Sequence, residues 1–271
     1  MQHIMLDAYN TQNNELLNDL KYTYDSMVKI CKKLNLKQVM PPVLVPYYYG
    51  QVIEDDGISA YVLLKGGHFT IHSFPQRSCY FVDIFSQEYV SDENFARALN
   101  MYFPYDITQG KINTVDRRLD VENQLITKNI IDSDNDFGPH YLMETTEPVD
   151  LNIDKIYHIL DELPSKINMD LIMRPFVLTD KIRNYEFVSG IAIIAQSHVA
   201  IHYNVKEKQA YIDIFSCSFL KGDNFASELE RTLGVKLKSN LISRGSKHKS
   251  QISLREDIFD LYKKWEENIS E

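Results

Sequence analysis

Ser189-Gly190-Ile191-Ala192-Ile193-Ile194-Ala195-Gln196-Ser197-His198-Val199-Ala200-Ile201-His202 restates an earlier stretch, Gly57-Ile58-Ser59-Ala60-Tyr61-Val62-Leu63-Leu64-Lys65-Gly66-Gly67-His68-Phe69-Thr70-Ile71-His72. Ser59/Ser189, His68/His198, His72/His202, Asp83/Asp213, Phe85/Phe215, Ser86/Ser216 and Phe95/Phe225 are each 130 residues apart. So many coincident positions without a gap mark a tandem duplication, residues 57–103 against 187–233. The copies also open alike: His3-Ile4-Met5-Leu6 matches His140-Tyr141-Leu142-Met143 at a spacing of 137. The stretch between the two matches therefore differs in length by several residues.

Working outward, each copy carries readable periods. Leu17, Leu20, Tyr24, Met27, Cys31 and Leu34 recur at three and four residues, which predicts an amphipathic helix. Leu63–Leu64, Phe69–Phe74 and Tyr80–Phe85 are short and rich in β-branched and aromatic residues, the composition of strands. Ser91 caps a helix carrying Phe95 and Leu99; Asp223, Phe225 and Leu229 repeat it up to Gly234. Each copy thus reads helix, strands, helix, strand. The expected class is α+β: two repeated α/β units, each a mainly antiparallel sheet with helices on one face, packed as an α-β-β-α sandwich. The polar run Asp132-Ser133-Asp134-Asn135-Asp136 separates a first repeat, 1–132, from a second, 137–271. Ile258, Leu261, Tyr262 and Trp265 predict a final amphipathic helix.

Bulk properties narrow the function classes. A chain of 271 residues that is 44% hydrophobic and 25% charged has the makings of a core. No apolar run approaches the ~20 residues of a membrane span, and Met1–Asp7 shows no signal-peptide pattern. A net charge of -9 argues against nucleic acid as the partner. Cys31, Cys79 and Cys217, odd in number and without metal spacing, suit a reducing cytoplasm. Phosphate-binding and dinucleotide fingerprints are absent, and Gly66-Gly67 reads as a tight turn.

His68/His72 and His198/His202 have the i, i+4 spacing of zinc ligands on a helix. On a strand, four residues separate the rings by about 13 Å, so one metal does not bridge them. The expectation is no metal, with hydrogen-bonded histidines on one sheet face. Against this repeat stand two differences: Ser197 replaces Gly67, and Cys217 replaces Gln87. Shared polar positions suggest a shared chemical role, and the differences suggest that one copy performs it.

The run 189–202, followed by Asp213-Ile214-Phe215-Ser216-Cys217, resembles the S-adenosylmethionine decarboxylases in their fused, tandem-duplicated form, over roughly 2–120 and 137–245. Such proteins cut their own chain at a serine, which becomes a pyruvoyl group; its carbonyl then takes up the substrate amine and serves as electron sink for loss of carbon dioxide. The resemblance implies a cut between Gln196 and Ser197, Ser197 as pyruvoyl source, Cys217 as proton donor, and Ser59 and His72 from the opposite copy as assistants. It implies no pyridoxal phosphate. Gly67, Gln87, Ser189 and His202 would form a degenerate second site.

For the substrate, His72-Ser73-Phe74-Pro75-Gln76 keeps the aromatic and proline of the family's pattern, with Gln76 replacing a glutamate that holds ribose hydroxyls. Ile53 stands where a second adenine-stacking aromatic occurs, and Phe137 is a candidate substitute. The implied function is decarboxylation of S-adenosylmethionine for polyamine synthesis, spermidine included. Two alternatives stay open: a pyruvoyl decarboxylase for another amino acid such as ornithine or arginine, and an unprocessed regulatory or ligand-binding homologue. The implied partners are a small-molecule substrate and a second fused chain, with neither nucleic acid nor membrane.

Overall fold

A computed structural model describes residues 1–47, 52–117, 135–167, 169–195, 197–216 and 224–246. Gln196, Cys217 and the predicted helix through Ile258 and Trp265 lie outside the described residues.

The first copy runs β1 (Gln2–Tyr9), α1 (Leu20–Lys33), β2 (Val43–Tyr47), β3 (Gly57–Leu64), β4 (Gly67–Phe74), β5 (Cys79–Ser86), α2 (Asp92–Tyr102) and β6 (Lys111–Asp116). The second runs β7 (Gly138–Thr145), α3 (Ile153–Lys166), β8 (Leu171–Ile182), β9 (Tyr185–Ile194), β10 (Ser197–Asn204), β11 (Gln209–Phe215), α4 (Asn224–Leu233) and β12 (Leu237–Arg244). Each copy begins with a strand, where the periodicity had suggested a helix first. β1 is uniformly buried, and such a strand lacks the alternation that betrays a half-exposed one.

The strands form two six-stranded sheets, β2-β3-β4-β5-β1-β6 and β8-β9-β10-β11-β7-β12. The order is the same in both, and every pairing is antiparallel. Period-two alternation gives each strand two jobs. Ile58, Ala60, Val62, Phe69, Ile71, Val82 and Ile84 face α1 and α2, meeting Met27, Ile30, Phe95 and Leu99. Val199, Ile201, Ile212 and Ile214 face α3 and α4, meeting Ile156, Leu160, Phe225 and Leu229. Full burial of such side chains contributes about 1.5–3 kcal/mol each. Asp19, Ser91 and Asn152 cap α1, α2 and α3 by accepting from the backbone N–H three residues on.

The alternate residues of both sheets meet each other, completing the α-β-β-α sandwich. Tyr61 and Leu63 pack on Ile191, Ile193 and Ala200. Phe74, Phe81, Phe137 and Phe215 form an aromatic seam. Between these apolar patches lies a buried polar layer: His3, Asp7, Ser59, His68, Thr70, His72, Asp83, His140, Glu144, Ser189, His198, His202 and Asp213.

Two arginines cross this layer in opposite directions. Arg117, just past β6, pairs with Glu144 and donates to the carbonyls of Met143 (2.9 Å) and Ile212 (3.2 Å), a register pair of β7 and β11. Arg244, ending β12, pairs with Asp7 at 2.5 Å and donates to Leu6 (3.2 Å) and Val82 (3.1 Å), a register pair of β1 and β5. Each guanidinium therefore caps strands of the other copy. Removing one partner leaves an unpaired buried charge, which costs about 3–5 kcal/mol. Arg244→Met should lower unfolding free energy by about that much in denaturant titrations, and adding Asp7→Leu should recover part of the loss. A loss below about 1 kcal/mol would show that the clamp carries little.

Candidate active site between the two sheets

β3 and β4 place Ser59 opposite His72, and β9 and β10 place Ser189 opposite His202. Ser59 Oγ lies 2.8 Å from His72 Nδ1, and Ser189 Oγ lies 3.0 Å from His202 Nδ1. Both serine–histidine pairs read from the repeat are thus assembled. The histidines do not bond along their own sheet as expected; they bond across. His72 Nε2 meets His198 Nδ1 at 2.9 Å, and His202 Nε2 meets His68 Nδ1 at 2.7 Å. The rings are stacked, 5.1 and 5.0 Å between centroids. The cause is the sandwich itself: β4 and β10 turn their histidines toward one another, so the nearest ring belongs to the other copy.

At the centre, Asp83 and Asp213 gather the remaining nitrogens. His198 Nε2 is 3.2 Å from Asp213 Oδ2 and 3.4 Å from Asp83 Oδ2. His68 Nε2 is 3.5 Å from Asp83 Oδ2, whose carboxylate also accepts from Thr70 Oγ1. His3 Nδ1 and His140 Nδ1 face Arg117 and Arg244 at 3.1 and 2.9 Å. Arginine only donates, so these Nδ1 atoms accept and the ring protons sit on Nε2.

Burial holds His3, His72 and His202 well below the ordinary histidine range. It pushes His140 down to about 4. For His68, burial acts in the same direction but the Asp213 and Asp83 carboxylates outweigh it, and its pKa rises. Burial likewise opposes ionisation of the two aspartates, yet His198 and His68 hold Asp83 far below the carboxylate range, and His68, His140 and His198 do so for Asp213.

Ser197 opens β10, buried, one residue before His198. Strand alternation gives it the parity of Val199 and Ile201, so it is linked to the His72–His198 contact through the chain, as the residue before His198. Ser197 pairs with Ile194, and Ala195, which follows Ile194, has φ 49°. An alanine in this left-handed region is strained by about 1–2 kcal/mol. In the first copy the left-handed turn residue is Gly66, φ 64°. The backbone is strained, then, just before the expected cut.

The corresponding turn of the first copy is braced differently. Gln87 Nε2 donates to Gly66 O at 2.9 Å, bracing its own turn. Asp180 of β8 accepts from Gly66 N at 3.0 Å and from Ser189 Oγ at 3.4 Å. A Cβ at Gly67 would lie 2.0 Å from Phe85 O, so a serine does not fit there without backbone movement. Asp180 left no sequence signal, because β8 is outside the repeated stretch. Arg117 and Arg244 were also missed; their trace is the shared strand ending, Val115-Asp116-Arg117 and Ile242-Ser243-Arg244.

The substrate-side residues are scattered. Phe74 and Phe137 are buried against one another, ring centroids 4.9 Å apart. Gln76 is exposed in the turn Pro75–Arg77, and Ile53 is 69% exposed.

The family described as S-adenosylmethionine decarboxylase matches residues 2–118 and 142–245, both copies of the repeat. The chain belongs to that family. Members of the S-adenosylmethionine decarboxylase family are pyruvoyl-dependent lyases acting on a small-molecule substrate. One similar solved structure is the adenosylmethionine decarboxylase from Aquifex aeolicus VF5, 18% identical, with a TM-score of 0.30; the match covers 41% of this chain and 92% of that one. No curated protein matches the chain. No helix among the described residues is long and apolar enough to cross a membrane.

The buried histidines give stability a defined pH dependence. Histidines with lowered folded pKa bind more protons when unfolded, so their stabilisation is full above about pH 6.5 and is lost as pH falls toward their folded values. His68, raised, contributes in the opposite sense, and four outweigh one. Denaturant titrations should show unfolding free energy declining between pH 6.5 and 4, by roughly 1.4 kcal/mol per pH unit for each net proton taken up. A flat profile over that interval would contradict neutral burial of these rings.

Proposed function

We propose that this protein is a pyruvoyl-dependent S-adenosylmethionine decarboxylase of polyamine synthesis with one site per chain, self-cleaved between Gln196 and Ser197. The reading is carried by one observation. Ser59 and His72 of the first copy are hydrogen-bonded at 2.8 Å, and His72 bonds the residue that follows Ser197 in the second. The asymmetry of the two turns supports it: strained Ala195 before a serine on one side, a braced Gly66-Gly67 on the other. In this reading repeat 1–132 supplies Ser59, His72 and the Phe74 wall, and repeat 137–271 supplies Ser197 and Cys217.

The proposed cleavage begins locally. The Ser197 hydroxyl attacks the carbonyl of the residue bonded to it, so no distant group has to be brought up. Ser59 and His72 are assigned as the acid–base pair for that peptide. His72, kept neutral by burial, accepts a proton rather than repelling one. When formed, the pyruvoyl group supplies an electron sink for the carboxylate's bonding electrons without pyridoxal phosphate. Cys217 is assigned proton delivery to the product carbon, as a thiol acid near neutral pH. Phe74 and Phe137 are assigned the apolar wall of the substrate site, and Gln76 a hydroxyl contact.

Denaturing mass spectrometry of the purified protein tests this. The expected result is two fragments, 1–196 and 197–271, the second blocked by a pyruvoyl group, with Ser197→Ala leaving a single chain of 31.6 kDa. A wild-type protein that stays intact under all conditions would overturn the reading. Cleaved protein that releases carbon dioxide from ornithine or arginine, and not from S-adenosylmethionine, would reassign the substrate.

A further inference from the structure

The buried centre contains more titratable groups than self-cleavage uses: His3, His68, His140, His198, Asp83 and Asp213, beside His72 and His202. Its contacts are loose. Among the described residues, His68 Nε2 and His140 Nε2 have no hydrogen-bond partner, standing 3.5 Å from Asp83 Oδ2 and 3.9 Å from Asp213 Oδ2 respectively. Four triads here have ligand-type atoms within 4.8 Å of one another: His3/His68/Asp83, His3/His140/Asp213, His68/His202/Asp213 and Asp83/His140/His198. A cation is therefore the first candidate occupant, and the ring nitrogens argue against it. His3 and His140 accept from guanidinium groups at Nδ1 and so carry their protons on the inward Nε2, which removes a ligand from three triads. In the fourth, His202 Nε2 is already bonded to His68 Nδ1. The layer is organised for protons.

Its continuous path runs Asp213 Oδ2 to His198 Nε2 at 3.2 Å, His198 Nδ1 to His72 Nε2 at 2.9 Å, and His72 Nδ1 to Ser59 Oγ at 2.8 Å. Two proton arrangements satisfy this chain. In the first, His198 is neutral with its proton on Nε2; His72 Nε2–H donates to His198 Nδ1, and Ser59 Oγ–H donates to His72 Nδ1. In the second, His72 Nδ1 has taken a proton from Ser59, which replaces it from the reacting group, and the Nε2 proton of His72 has moved to His198 Nδ1. His72 stays neutral throughout, and the added charge resides on His198, 3.2–3.4 Å from two carboxylates.

We infer that His198 is the positioning residue of this site: it takes the Nε2 proton of His72 whenever His72 accepts one through Ser59, and holds it against Asp213. The inference rests on the reading of Ser197 as the processed residue. The groups facing His198 are His72, Asp213 and Asp83, with the rings of His68 and His140 edge-on at 5.6 and 5.9 Å, and Phe215 alongside. The mirror path, Asp83 to His68 to His202 to Ser189, ends on Asp180 instead of a reacting group.

The test uses the full chain in two readouts. In wild type the self-cleavage rate should fall on the acid side, where the relay no longer accepts a proton. His198→Gln should slow cleavage about 10²-fold and change that pH profile. Asp213→Asn, closer in shape, should slow it in the same sense and carries the test if His198→Gln does not fold. In parallel, nitrogen NMR of histidine-labelled protein held uncleaved by Ser197→Ala should show the His72 proton moving from Nε2 to Nδ1 as the pH is lowered, and no such movement in His198→Gln. Unchanged rates and pH profiles in both variants would overturn the inference. So would a His72 tautomer indifferent to His198, or one tightly bound metal ion per chain by elemental analysis. If wild type never cleaves, the Ser197 reading fails while the NMR readout still decides the His198–His72 coupling.

Discussion

Arg117 and Arg244 reach from the last strand of each copy into the first strand of the other, and the rest of the structure depends on that reciprocity. A buried guanidinium is costly to desolvate, and here each is met by a carboxylate, two carbonyls and a histidine nitrogen. All of those acceptors except the two histidines come from the opposite copy: His3 travels with Arg117, and His140 with Arg244. Neither arginine has its partners until the two sheets meet in register. The clamp therefore fixes the sheet-to-sheet alignment that apolar contacts between Tyr61, Leu63, Ile191 and Ile193 would leave free to slide.

Chemistry follows from that alignment. Because each Arg donates, His3 and His140 have one tautomer, and because β4 and β10 face each other, His72 and His198 stack. Ser59 and His72 then reach His198, the residue after Ser197, as a consequence of packing, not of local sequence. The second half of the symmetry has been put to structural use: Gln87 and Asp180 tie down the Gly66 turn, and Phe85 O occupies the space a serine would need at Gly67. In the proposed reading, a duplicated two-site arrangement becomes a one-site protein, and the remaining histidines stay part of the buried electrostatics.

What the sequence made legible was whatever repeats. The 130-residue spacing identified both serine–histidine pairs, both aspartates and the layered α+β class, because duplicated positions do the same job twice. It could not show that the histidines bond across sheets, since periodicity describes one strand at a time. β1 escaped as a strand because it is buried on both faces. Asp180 escaped because it has no counterpart, and the packing of Phe137 among Phe74, Phe81 and Phe215 joins residues far apart in the chain, which periodicity does not report. Residues that break the symmetry are the ones that carry the difference between the copies, and a repeat cannot announce them.

If the crossed arginines make the two copies interdependent, neither can melt alone. Differential scanning calorimetry of the full chain tests this most directly. The account predicts a single transition with calorimetric and van't Hoff enthalpies that agree, the mark of one cooperative unit. Two separable transitions, one per copy, would contradict it.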